Sequence, residues 1–394
     1  MTSSIRLLTH ADTDTAWQLG RLAFGGTDAA PPAGYSSERP GRLTWGTFVD
    51  GQLVATATDR EQHQFFGGRS VPTAGVAGVV VVPERRRSGH SRALLTHLLV
   101  AAHQRGAVLS TLFFTTPVPY RQLGYEQVGV LRWTAVATEA LAGLHIPAGT
   151  SLRAATPADV RRLGEIRTEV ARAGTGAMHR TGPLYDCAAT DELAQHDGTT
   201  LAVDDDGTVQ GFSSWNRGAG SDVTAVLTVP DLVALTADAT IALLANLGSW
   251  AQVAPTLHLR LPDPDPAVLL GAFTHTWVLR AEPWMLRVLD AAGAIAARGW
   301  PPPARGALDL LLADEACPWN AGPWRLQLDG GDGALEPGGT GALRLGPRGL
   351  AAWYAGTSPS TLRRAGLLTG GTNHDDMLLA ATTAGPPAAL LDYF

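Results

Sequence analysis

Residues 47–50 and 52–58 alternate apolar and polar positions on either side of Asp50-Gly51, which predicts a hairpin, since that pair accepts the positive φ of a two-residue turn. Residues 76–82 form an unbroken apolar run of strand length, the pattern of a central strand buried on both faces. A helix is expected from about residue 89 to 105. A second apolar strand over 108–115 stops at Pro117-Val118-Pro119, where prolines remove ladder donors. Residues 128–135 close the set, and this alternation of strand and helix describes an α/β unit.

The opening of that unit is echoed later. Ser4-Ile5-Arg6-Leu7-Leu8-Thr9-His10-Ala11-Asp12 returns as Ser151-Leu152-Arg153-Ala154-Ala155-Thr156-Pro157-Ala158-Asp159. Each copy is a short strand running into a threonine N-cap, with an acid in the first turn and a helix beyond. Asp206-Gly207 repeats the Asp50-Gly51 turn. A duplicated domain is the reading, with second-copy helices at 158–171 and 229–247 and strands near 200–203, 209–215, 223–229 and 256–261. A third region opens on a strand at 284–290 that leads into a short helix at 291–298. It continues with strands at 308–312, 324–328 and 341–345, and helices after 346 and near 361–368.

Length agrees with this division, because 394 residues exceed one core and fit two or three domains of roughly 100–200 residues. A net charge of −6 gives no general attraction to nucleic acid, so the arginines between 85 and 92 are a local feature. Cys187 and Cys317 stand alone, without the spacing of a zinc site or a disulfide framework, and no metal is expected. No stretch approaches the roughly 18 apolar residues of a membrane span, and residues 1–6 lack a signal-peptide core. A cytoplasmic protein is the expectation.

The chemistry concentrates where the apolar run ends in Pro83-Glu84-Arg85-Arg86-Arg87-Ser88-Gly89-His90-Ser91-Arg92. Small residues and arginines at a helix start present backbone N–H groups and positive charge to a phosphate. Cations there oppose the helix dipole by about 0.3–1 kcal/mol each, a conflict that a bound anion removes. The loop is neither the dinucleotide Gly-x-Gly-x-x-Gly nor a Gly-Lys-Ser/Thr loop. Arg86-Arg87-Ser88-Gly89-His90-Ser91 instead resembles the acyl-CoA-binding motif Gln/Arg-x-x-Gly-x-Gly/Ala of Gcn5-related N-acetyltransferases, with Ser91 departing at the last place.

Together with Val71-Pro72-Thr73-Ala74-Gly75-Val76-Ala77-Gly78-Val79, Tyr120-Arg121-Gln122-Leu123-Gly124-Tyr125 and the final Leu391-Asp392-Tyr393-Phe394, the whole chain resembles the enhanced intracellular survival family of these enzymes. That resemblance implies an α/β architecture of tandem acetyltransferase-like domains with a C-terminal sterol-carrier-like domain. Its boundaries are 1–148 (catalytic), 149–284 (degenerate) and 285–394, the last contributing the chain terminus to the active site. It also implies acetyl-CoA as co-substrate and a homo-oligomer, a hexamer in that family.

The expected site has two parts. Arg86, Arg87, Ser88, Gly89, His90, Ser91 and Arg92 would hold the CoA diphosphate. Backbone groups of Val79, Val80 and Val81 would serve the thioester and pantetheine if a bulge splays that strand from its neighbour. Read from residues alone, Tyr120 is a packed or turn tyrosine and Phe394 a frayed end; the resemblance makes Tyr120 the general acid and the Phe394 carboxylate the general base. Tyr125 is expected to pack. Asp12, Asp14, Glu38, Asp59 and Glu61 could offer a negative rim for a cationic amine, but solvated loop acids are the preferred reading of them. The activity implied is direct acetyl transfer to primary amines of small polycationic molecules or to lysine side chains. The alternative is a non-catalytic CoA- or lipid-binding regulatory protein.

Overall fold

The structure, a computed structural model, describes residues 2–394 apart from 29, 33, 263, 272, 274 and 275. The first unit comprises β1 (Ser3–Leu7), α1 (Thr13–Phe24), β2 (Arg42–Val49), β3 (Gln52–Phe66), β4 (Arg69–Val81), α2 (His90–Gln104), β5 (Leu109–Phe113), α3 (Val118–Arg121) and β6 (Glu126–Ala137). The predicted hairpin is present, with Asp50 at φ 48° and Gly51 at φ 83°. The second unit comprises β7 (Thr150–Ala154), α4 (Val160–Ala173), β8 (Met178–His179), α5 (Ala189–Leu193), β9 (Gly198–Asp204), β10 (Val209–Arg217), β11 (Val226–Ala234), α6 (Ala237–Gly248), β12 (Thr256–Leu259) and α7 (Pro266–Gly271).

The sequence echo is physical. In each copy an arginine and a threonine converge on one aspartate: Arg6 and Thr9 on Asp12, Arg153 and Thr156 on Asp159. The aspartate also accepts the threonine's backbone N–H at 2.8 Å in both, closing a capping box. Hydrogen bonds from the arginine, with help from the threonine, hold each carboxyl far below the ordinary aspartate range. One expectation fails, since residues 226–234 are strand and the helix expected from 229 starts at Ala237 behind a Thr236 N-cap. Helix α6 is apolar around most of its circumference, so periodicity gives no start signal and the cap supplies it.

The sheets of the two units are continuous. β13 (Trp277–Val288) lies between β5 and β6, antiparallel to both, and β6 pairs β12, giving the order β1-β2-β3-β4-β5-β13-β6-β12-β11-β10-β9-β7. A cut at 284/285 therefore falls inside a strand. Trp284, Met285 and Leu286 are fully buried there, and Arg287, also buried, is clamped by both oxygens of Asp314 at 2.6 Å, tying the sheet to the third unit. That unit carries a five-stranded sheet, with its interior occupied by Trp300, Trp353 and Tyr354 around the Arg298 guanidinium. Residues expected as one helix near 361–368 split into a short helix, Pro359–Arg364, and an edge strand, Leu368–Gly370.

In the first unit the two long helices, α1 and α2, cover opposite faces. Leu94, Leu95, Leu98 and Leu99 of α2 pack on Ala55, Ala57, Ala74 and Val76, whereas Leu19 of α1 packs with Leu8, Phe48, Leu53 and Val80. Strand alternation therefore sends odd-numbered residues of β3 from 55 to 61 toward α2 and even-numbered ones toward α1.

Candidate active site

β4 is bulged near its C-terminal end. Its register with β3 slips between Thr56 and Thr58, so that Gly78 and Val79 both stand opposite Ala57, with Gly78 at φ 58°. That is a bulge. On its other edge β4 pairs β5 only from Thr73 to Gly75, and the remainder, including Val79, Val80 and Val81, diverges from β5. Val80 is buried against the α1-face cluster, while Val79 and Val81 lean on the α2-face cluster.

The loop beyond β4 is arranged as an anion cradle. Gly89 sits at φ 81° with open space where a Cβ would stand, so the glycine answers a backbone need and not a steric one. Arg87 is also in the left-handed region at φ 63°. Among the described residues, the N–H groups from Arg87 to Arg92 donate to no backbone carbonyl, and no acid lies in the first turn of α2. Ser88, Gly89 and Arg92 are exposed, His90 and Ser91 half-buried, and Arg86 bonds back to the Val81 carbonyl at 3.4 Å. Unsatisfied N–H groups, a helix N-terminus and four arginines between 85 and 92 fit a diphosphate.

Tyr120 and Phe394 flank the end of β5 from opposite faces. Tyr120, on α3, packs with the α2-face cluster 6.0 Å from the Tyr125 ring; burial raises its pKa, and among the described residues its hydroxyl has no hydrogen-bond partner. Tyr125 is fully buried and shares a 2.6 Å hydrogen bond with Ser110, the packing role expected of it. Phe394 stacks edge-on to Phe113, the last residue of β5, at 5.6 Å, and Tyr393 lies 4.7 Å from the same ring. The tail is not frayed. Ala389 donates to the Thr175 carbonyl at 2.8 Å, Leu390 is fully buried, and Asp392 accepts from Arg180 at 2.6 Å.

Two cavities adjoin on the α1 face. One, of about 340 Å³, lies between α1, Gly25, Gly26, residues 35–37, Arg39 and strands β2 to β4; the other, of about 510 Å³, lies between the first two units and is lined by Phe394. Sequence reasoning missed what surrounds the second. Asp231, from β11, is half-buried among Arg167 and Arg260, each at 3.2 Å, and Arg180 at 3.9 Å. Burial works to raise its carboxyl, yet the three guanidiniums hold it well below the usual range. Since Arg180 also holds Asp392, this hub fixes the tail to the second unit. Asp231→Asn should cost about 1–3 kcal/mol by removing the charge shared by three partly buried cations, two of which keep Glu192 and Asp392 as partners, read from chemical denaturation. The depressed pKa makes the native contribution complete above the ordinary value of 3.8, with loss only as pH falls below it.

The expected acidic rim is not assembled. Asp12 is bonded to Arg6, Glu38 accepts the His10 backbone N–H, and Asp59 and Glu61 are odd-numbered residues of β3 that face α2 and Arg105. Asp14 lies in the first turn of α1. His63 stands 6.5 Å from His179 with its pKa lowered by burial, and among the described residues no cluster of potential ligands could hold a metal. No helix among them is long and apolar enough to cross a membrane.

Comparisons with known proteins find three domain families along the chain. Residues 4–128 match an acetyltransferase (GNAT) domain family, residues 176–288 a second acetyltransferase (GNAT) domain family, and residues 291–389 the sterol carrier protein domain family. A GCN5-related N-acetyltransferase from Kribbella flavida, solved as a crystal structure, is 33% identical, with a TM-score of 0.85 over 100% of this chain and 99% of that one. A protein of Streptomyces avermitilis described as an uncharacterised N-acetyltransferase is 29% identical over 385 residues, 90% of each chain. Eis1 from Mycobacterium abscessus shares the fold over 100% of both chains, at 22% identity and a TM-score of 0.78.

Proposed function

The chain belongs to the GCN5-related N-acetyltransferases, and on that premise we propose that it moves the acetyl group of acetyl-CoA directly to a primary amine, on a small molecule or a lysine side chain. The observation that carries this reading is the unpaired N–H cradle from Arg87 to Arg92 directly beside the divergence of β4 from β5. The cradle fits the CoA diphosphate, and the gap admits a pantetheine arm along Val79 to Val81, with backbone donors available to the thioester carbonyl.

In this reading the carboxylate of Phe394 takes a proton from the attacking amine, directly or through one water, as the C–N bond forms. The Tyr120 hydroxyl gives its proton to the departing sulfur as the C–S bond breaks. Their location on opposite faces of the sheet supports the assignment, because a thioester threaded between β4 and β5 turns its amine side to one face and its sulfur to the other. The cycle closes when the Phe394 carboxyl releases its proton to solvent and Tyr120 takes one back from solvent.

The expectation of a polycationic acceptor comes from the family resemblance; the acids at positions 12, 14, 38, 59 and 61, which could have formed a rim for it, are mostly bonded elsewhere. A primary amine remains the acceptor, and its other chemistry is set by the cleft wall. Assembly into a homo-oligomer, a hexamer in the resembling family, belongs to the same reading and is supported by the exposed apolar side chains Leu269, Trp277 and Val278.

The test is CoA release from acetyl-CoA with an amine panel, together with calorimetric titration of CoA into the Gly89→Ala variant. A Cβ in the left-handed region costs about 1–2 kcal/mol, so CoA binding should weaken roughly 5- to 30-fold. Unchanged CoA affinity would remove the cradle from the cofactor site, and CoA binding without turnover on any amine would favour a regulatory protein.

A further inference from the structure

Three guanidiniums meet on the α1 face, and among the described residues none of them forms an ion pair. Arg42 of β2 and Arg60 of β3 are direct cross-strand partners, and the bridge between Arg39 and Arg42 brings a third arginine alongside. Like charges directly opposite one another on a sheet are unfavourable. Burial and then repulsion from Arg60 and Arg39 lower the pKa of Arg42. Among the described residues the Arg42 side chain makes no hydrogen bond or ion pair, and the Arg39 side chain only stacks on Tyr35 at 5.2 Å. Arg60 meets the neutral Tyr185 hydroxyl but leaves its buried Nε without a partner.

The acids that a sequence reading would offer as partners are out of reach. Asp59 and Glu61 flank Arg60 in sequence but face α2 and Arg105. Asp392, which faces Arg60, is taken by Arg180. Arg39 and Arg42 line the smaller cavity, in which every charged lining residue is an arginine, and Arg60 lines the larger one, with its guanidinium 5.1 Å over the Phe394 ring. The cluster is therefore next to the residue proposed as base. It is not a second handle for the CoA diphosphate, because Arg60 lies five residues along β3 from Ala55, the partner of Val81, about 17 Å at a strand's rise.

We propose that Arg42 and Arg60, with Arg39, bind an oxyanion on the acceptor, a carboxylate or a phosphate. The acetylated amine then belongs to an amino-acid-like or aminoalkyl-phosphate molecule and not to a polycation. Guanidinium forks match either group in a bidentate fashion, and an anion there relieves the repulsion that the empty fold carries. This rests on the transferase reading above for the amine, but the oxyanion site stands on the arginines alone.

The full chain is assayed for acetyl transfer to four acceptors of one length: aminohexanoate, aminohexyl phosphate, hexylamine and diaminohexane. In the unmodified protein kcat/KM for at least one anionic acceptor should exceed that for hexylamine and diaminohexane by roughly 10-fold or more, and the two anionic arms separate carboxylate from phosphate. Arg42→Gln and Arg60→Gln should each collapse that ratio, and Arg42→Glu should turn it toward diaminohexane. Separately, hexanoate and hexyl phosphate, which carry no amine, should raise the melting temperature of the unmodified protein but not that of the Arg42→Gln, Arg60→Gln double variant. A preference for diaminohexane in the unmodified protein, or a ratio indifferent to Arg42→Glu, overturns the proposal. Melting shifts that depend on the arginines with no transfer to any acceptor would instead overturn the transferase reading and leave the oxyanion site standing.

Discussion

Extending the chain beyond Phe394 by a short tag is expected to lower kcat about 100-fold or more, the contribution of a positioned general base, with CoA affinity held within about twofold. The split arises from where the contacts lie. In the proposed reading CoA affinity comes from the loop at residues 86–92 and from β4, which the tail does not build, while the tail reaches the end of β5 through Phe394 against Phe113. An extension also leaves the anchors upstream intact, namely buried Leu390, the Ala389–Thr175 bond and the Asp392–Arg180 pair, so the melting temperature should hold. A C-terminal amide made by ligation isolates the charge from the bulk of a tag. An amide with full kcat would exclude the carboxylate as base, and a tagged protein with full kcat would show that the tail stands clear of the acceptor. The second readout is the acid limb of the rate profile, which should disappear with the carboxylate if that group supplies it.

Local chemistry was legible in the sequence and long-range register was not. The Arg-x-x-Thr-x-x-Asp echo predicts both capping boxes because every partner lies within six residues. The phosphate loop is readable for a similar reason, since a strand end, a glycine and a helix start are consecutive. Arg42 and Arg60 stand eighteen positions apart with no motif, and only the β2–β3 register sets them face to face. The same register removes Asp59 and Glu61 from the cleft, a consequence of period-two alternation that needs only the knowledge of which face α1 covers. The insertion of β13 between β5 and β6 has no local signal either, because an apolar strand of that kind pairs equally well with the third unit from the standpoint of composition. Asp231 is the clearest miss. One aspartate in an apolar strand gave no hint that three arginines from three separate segments would gather on it.

Tyr120→Phe should lower kcat by about 100-fold or more while the fold and CoA affinity survive, since the ring packs with Tyr125 and the hydroxyl bonds to nothing in the described structure. The pH profile separates catalysis from packing. Burial raises the pKa of Tyr120 above its ordinary value of 10, so the folded protein holds this proton more tightly than the unfolded chain does. The acid form persists through neutral and mildly alkaline solution, and any loss of rate from its ionisation falls above pH 10. In the phenylalanine variant that alkaline limb should vanish, leaving a low rate that no longer declines as pH rises through that region. The raised pKa has a second consequence for the chemistry. Proton transfer from a phenol to a thiolate whose conjugate acid is near 8.5 is uphill, so Tyr120 acts only as the C–S bond breaks and before free thiolate accumulates. Retention of both the alkaline limb and the rate in Tyr120→Phe would move the acid role to water or to another group, and would return Tyr120 to the packing role that its residues alone describe.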